Sequence, residues 1–125
     1  MYSTHRIVTI AVLIVTGGCA ATGQRGALDL AYRAMQKGRY DLALMRLSRA
    51  EHYRPPPRLM AAEISFLRAQ CYERSGRISE SVGAYSYTIE NFLSTTYARQ
   101  AQERLAAINR TGEPTAAPNA TAPHP

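Results

Sequence analysis

From residue 27 to about residue 110 apolar residues return every three or four positions, and no stretch alternates in the manner of a strand. The first stripe is Ala27, Leu28, Ala31, Ala34 and Met35, and the second is Tyr40, Ala43, Leu44, Leu47 and Ala50. Each predicts an amphipathic helix of about three turns. Gly38 between them suits a left-handed helix end. Pro55-Pro56-Pro57 then stops the second helix, because proline lacks an amide donor and clashes with the preceding turn. The pattern returns beyond the prolines: Ile64, Leu67, Cys71 and Tyr72 precede Gly76, and Ile78, Val82, Tyr85, Ile89 and Phe92 follow it. Ser94-Thr95 offers an N-cap to a last stripe of Ala98, Ala101, Leu105 and Ile108. The expected fold class is all-α, with about five helices in antiparallel succession: two hairpins plus a terminal helix.

The two ends read differently. Residues 111–125 hold four of the seven prolines among Ala, Thr and Asn and have no apolar face to bury, so a disordered tail is expected. At the other end, Arg6 precedes an apolar run from Ile7 to Val15 broken only by Thr9, the layout of a secretory signal. That run is about half of the roughly 20 residues that cross a bilayer as a permanent helix. Thr16-Gly17-Gly18-Cys19 resembles the lipobox of bacterial lipoproteins, with Thr16 standing where the family usually has an aliphatic residue. The resemblance implies removal of residues 1–18 as a signal peptide and a diacylglycerol on the Cys19 sulfur. A short linker over 19–26 would then lead to a domain over 27–110 and the tail over 111–125. Ala20 after the cysteine implies, by the same resemblance, the periplasmic side of the outer membrane. The alternatives are an uncleaved anchor in the inner membrane, or an ordinary signal cleaved near Ala20-Ala21 that leaves a soluble periplasmic protein.

Gly38 and Gly76 lie 38 residues apart, close to the roughly 34-residue period of a helical repeat, and the extra residues fit the proline-rich connection. The first unit resembles a tetratricopeptide repeat through Leu30-Ala31, Gly38, Tyr40-Asp41, Ala43-Leu44, Leu47, Ala50 and Pro55. The second keeps Ala69, Tyr72, Gly76 and Tyr85 but carries Ser79 and Ser81 where the family prefers an acidic residue and Ala. Its continuation from Tyr85 through Ile89, Phe92, Tyr97, Ala101 and Leu105 is similar to repeats of periplasmic Tol–Pal coordinators and outer-membrane assembly lipoproteins, with Leu93 in place of their Pro. The resemblance implies a short solenoid of two repeats and a terminal helix. An unrelated small helical bundle would show the same stripes. The family register further nominates a partner-binding groove lined by Arg25, Leu28, Tyr32 and Met35 from one unit and Glu63, Phe66, Gln70 and Glu73 from the next. Tyr32 and Phe66 would be its anchors, with Arg25, Glu63 and Glu73 setting polarity. For Leu28, Met35 and Phe66 packing is the plainer reading.

Charge and chemistry narrow the function. Fifteen Lys+Arg against nine Asp+Glu leave +6, and all but one of the bases are Arg, scattered along the chain. Arg39, Arg46, Arg49, Arg54 and Arg58 form a basic region around the first hairpin, with the first three able to line one side of a helix. An exported chain meets little nucleic acid, so acidic proteins, anionic headgroups or lipopolysaccharide phosphates suit that stripe better. With Cys19 acylated, Cys71 has no disulfide partner and reads as a small buried hydrophobe. His5, His52 and His124 are too scattered for a metal site or triad, and Glu73 and Glu80 lack a nearby nucleophile or phosphate loop. No catalysis, no metal and no cofactor beyond the covalent lipid are expected. Two repeats are fewer than the about three that cover their own apolar faces, which leaves a face for a partner or a second copy in a homodimer. The expected function is a lipid-anchored adaptor that binds a segment of an envelope protein. The alternative is a small structural accessory subunit of an envelope secretion, export or assembly complex.

Overall fold

Glycine makes both sharp turns. In the computed structural model, which describes residues 23–111, Gly38 and Gly76 have φ of 68° and 79°, left-handed values that a side chain resists. Each closes the preceding helix in the same way. The Gly38 amide donates to the Met35 carbonyl at 3.0 Å and the Arg39 amide to that of Ala34 at 2.9 Å; Gly76 and Arg77 repeat the pair on Glu73 and Tyr72. Carbonyls that a helix end leaves to water are thereby satisfied.

The fold is all-α. Helix α1 occupies 23–36, α2 Tyr40–His52, α3 Arg58–Arg74, α4 Ile78–Asn91 and α5 Thr96–Arg110, with no strand among the described residues. The three prolines separate α2 from α3, and Pro57, extended at ψ 149°, stands just before the first turn of α3. Thr95, not Ser94, is the N-cap of α5: its backbone is extended and its hydroxyl accepts the Ala98 amide at 3.2 Å.

Two antiparallel hairpins and a terminal helix stack as a short solenoid. Gln24 near the start of α1 donates to the Ala50 carbonyl at 3.0 Å and to that of Arg54 at 3.1 Å, at the far end of α2. Ser65 with Thr88 and Glu73 with Tyr85 pair α3 and α4 in opposite senses. Helix α5 takes the place of a third first helix. Glu73 meets Arg104 across 31 residues, the separation at which Phe66 stacks on Tyr97, so α3 and α5 run in the same sense; Tyr32 meets Glu63 at that same step.

Two cores result, and α3 serves both. One packs Leu28, Ala31, Met35, Ala43 and Leu47 against Ile64, Leu67 and Cys71. The other packs Phe66 and Ala69 against Tyr85 and Ala101, flanked by Ile89, Tyr97, Leu105 and Ile108. Fully buried positions recur 38 residues apart: Ala31 and Ala69, Ala43 and Ser81, Leu47 and Tyr85, Ala50 and Thr88. The buried line of α4 is thus Ser81, Tyr85 and Thr88; of the expected stripe Tyr85 is buried, while Ile78, Val82, Ile89 and Phe92 stay half-buried. Small side chains let the helices approach, and the hydroxyls bond one another: Ser65 lies 2.7 Å from Thr88, and Thr88 donates to the Ala84 carbonyl at 2.9 Å.

Residues 23–26, expected in a linker, already belong to α1. Gln24 is buried and tied at both donors, and a Cβ on Gly23 would come within 3.2 Å of the Tyr53 ring, so this turn is packed rather than connecting. The expected signal, Cys19, the linker residues before 23 and the tail beyond Thr111 lie outside the described residues.

Candidate interaction surface

Helices α1, α3 and α5 each send a side chain to one side of the molecule. The Tyr32 hydroxyl donates to Glu63 Oε1, and Tyr97 approaches the same carboxylate. Burial first, and the Glu63 carboxylate second, push both phenols above their ordinary range, so at neutral pH both are protonated donors. Phe66 forms the floor, its ring centroid 5.9 Å from that of Tyr97 and 5.7 Å from that of Tyr85.

About two turns along α3 from Phe66, Glu73 accepts from the Tyr85 hydroxyl at 2.6 Å and from Arg104 through Nε at 3.3 Å and through Nη2. Burial opposes ionisation of Glu73, but the bonds from Arg104 and Tyr85 outweigh it and hold the carboxyl below its usual range. The same carboxylate, after burial, raises the Tyr85 phenol.

The eight nominated groove residues therefore separate. Tyr32 and Glu63 are brought together and are partly exposed, Arg25 is exposed on α1, and Gln70 is half-buried on α3. Leu28, Met35 and Phe66, at 5%, 6% and 6% exposure, are core residues, and Glu73 serves the joint of α3, α4 and α5. Tyr97, which joins Glu63 and Phe66 there, was not nominated; it stands 31 residues beyond Phe66, the separation at which Tyr32 meets Glu63, while Arg104 belongs with Glu73 to the joint.

The basic region also divides. Arg54 turns to Gln24 and Arg58 lies over the Phe92 ring, 5.7 Å from its centroid. Arg39, Arg46 and Arg49 remain on the α1–α2 surface, joined there by Arg33 and Lys37 of the first helix and the turn. Cys71 is buried, which pushes its thiol up to about 11, and it is not in a disulfide. Among the described residues no three His, Cys, Asp or Glu gather as metal ligands, and no helix is long and apolar enough to cross a membrane.

Comparison of the chain with protein-family models, curated proteins and solved structures returned no match. The functional reading consequently rests on the residues themselves.

Proposed function

We propose that this chain is a lipid-anchored adaptor, built on tetratricopeptide-like hairpins, that holds a segment of another envelope protein at the periplasmic face of the bacterial outer membrane. The observation that carries the proposal is the convergence of Tyr32, Glu63 and Tyr97, from three successive first-position helices, on one partly exposed face. With the Tyr32 hydroxyl hydrogen given to Glu63, the phenolic and carboxylate oxygens over an aromatic floor can accept from backbone N–H groups and from a cationic side chain of an extended segment. The mechanism is docking, with no bond made or broken. The anchor follows from the resemblance of Thr16-Gly17-Gly18-Cys19 to a lipobox.

The test is crosslinking of the full chain in its native envelope, with mass spectrometry of the crosslinked peptides and of the mature N-terminus. Crosslinks from α1, α3 and α5 to one envelope protein are expected, together with an acylated Cys19. Tyr32→Ala combined with Glu63→Ala should reduce that crosslink at least about tenfold while the helical circular dichroism is kept. Phe66 is unsuitable for this purpose, because its removal would open the core. The accessory-subunit reading draws on Leu59, Tyr87 and Leu93, exposed by 61%, 54% and 69% around the end where α3 starts and α4 stops. An unchanged crosslink in the double variant would overturn the groove and favour that broader surface.

A further inference from the structure

The outer side of the first hairpin carries a pattern unlike the rest of the molecule. Leu30, Arg33 and Lys37 follow one another along α1 and its turn, and Leu42, Arg46, Arg49 and Tyr53 along α2 and its end, at spacings of three and four. Folding sets the two rows side by side across two adjoining hollows of about 510 and 220 Å³, which share Leu30, Arg33 and Arg46. Arg33, Lys37, Arg39, Arg46 and Arg49 line them against one carboxylate, Asp29. None of these five cations forms an ion pair or side-chain hydrogen bond with another described residue, whereas Arg68, Arg77 and Arg104 all do. Cations collected in a groove repel one another and favour an anion there, and a guanidinium fork matches phosphate oxygens.

The rim is apolar: Leu30 and Tyr53, both of the lining, are exposed by 42% and 49%. Cations interleaved with Leu and Tyr suit the boundary between headgroups and acyl chains, where the apolar ends are buried and the charges meet phosphates. An acidic peptide would satisfy the cations and leave that rim in water. Position points the same way. Three residues lie between Cys19 and Gly23 at the wall of the larger hollow, four steps of chain with a reach of at most about 14 Å, so an anchored chain keeps this groove at the bilayer surface.

We propose that the α1–α2 groove binds the phosphate headgroups of anionic phospholipids in the membrane that holds the anchor, as a second, electrostatic attachment that fixes the orientation of the domain. The proposal rests on the lipid anchor put forward above. It is tested with the chain from Ala20 to Pro125, which retains every described residue and both cores and carries no acyl group. Flotation is measured with vesicles of phosphatidylcholine alone and of phosphatidylcholine with an equal part of phosphatidylglycerol.

Binding is expected only to the anionic vesicles and should weaken with salt. Arg33→Gln, Arg46→Gln and Arg49→Gln together should lower it roughly a hundredfold, at about fivefold per charge. Arg74→Gln, Arg99→Gln and Arg110→Gln remove the same net charge elsewhere and should leave most of it. Absence of binding, or equal loss in the two triple variants, overturns the proposal. So does displacement by inorganic phosphate alone, which would make the groove a free-phosphate site, or tighter binding to polyglutamate, which would give it to an acidic protein. Mass spectrometry of the native chain reads the anchor separately. An unmodified Cys19 with anionic vesicles still bound overturns the anchor alone, and an acylated Cys19 without vesicle binding overturns the groove alone.

Discussion

Thr88 is fully buried, and its two hydrogen bonds set the cost of substitutions around it. Because Thr88 donates to Ala84, Ser65 is the donor between the two hydroxyls. Thr88→Val keeps the shape but strands the Ser65 hydroxyl in a buried place, a loss of about 1–3 kcal/mol. Ser65→Ala leaves Thr88 bonded to Ala84 and should cost less, about 1 kcal/mol. Urea midpoints of the two variants decide this; equal losses, or a larger loss for Ser65→Ala, would contradict the assignment of donor and acceptor. Packing is the plainer reading of Phe66 and it is core, but its place was not legible: it falls off the Ile64, Leu67 and Cys71 line, because α3 buries a second side, which holds it. The meeting of Tyr32 and Glu63 was legible through register alone, because both occupy first-helix positions of successive units.

Among the elements, the turns were the most readable, since left-handed glycine and a proline run leave few alternatives. Gly38→Ala and Gly76→Ala test this. No atom lies within 4 Å of a Cβ built at either site, so the cost comes from the backbone conformation alone, about 1–2 kcal/mol for each. The two losses should therefore be similar, and Asn at either position should recover part of it; thermal unfolding of the four variants is the check. The start of α1 was less readable. Gly23 and Gly26 are poor helix formers and look like connecting chain, but the tied Gln24 side chain and the Tyr53 ring against Gly23 override local preference. In α4 Ser81 and Thr88 look like an outer face by composition and are the inner one: Ser81 bonds back to the Ile78 carbonyl of its own helix, and the Ser65 partner of Thr88 lies on α3, invisible to a pattern confined to one helix.

For the whole molecule, Glu73 ties α3, α4 and α5 together, and its ionisation couples their stability to pH. The folded carboxyl titrates below its ordinary value of 4.5, Arg104 and Tyr85 outweighing the opposing effect of burial. A depressed folded value means that the contribution is complete above the unfolded value and is lost as pH falls below about 4.5 through the folded one. Glu73→Gln should lower stability at neutral pH and flatten the decline below about pH 4.5, measured as urea midpoints across that range; a slope equal to that of the unmodified chain would show that Glu73 is not the coupling group. The central place of α3 has a mechanical consequence as well. Each helix leans on its neighbours, and α1 and α5, at the two ends of the described chain, lie farthest along the stack from one another. Tension between a tethered front and a captured partner would peel these outer helices away one at a time, as a zipper yields, and would reach α3 last, so the molecule would stretch in small steps before it let go.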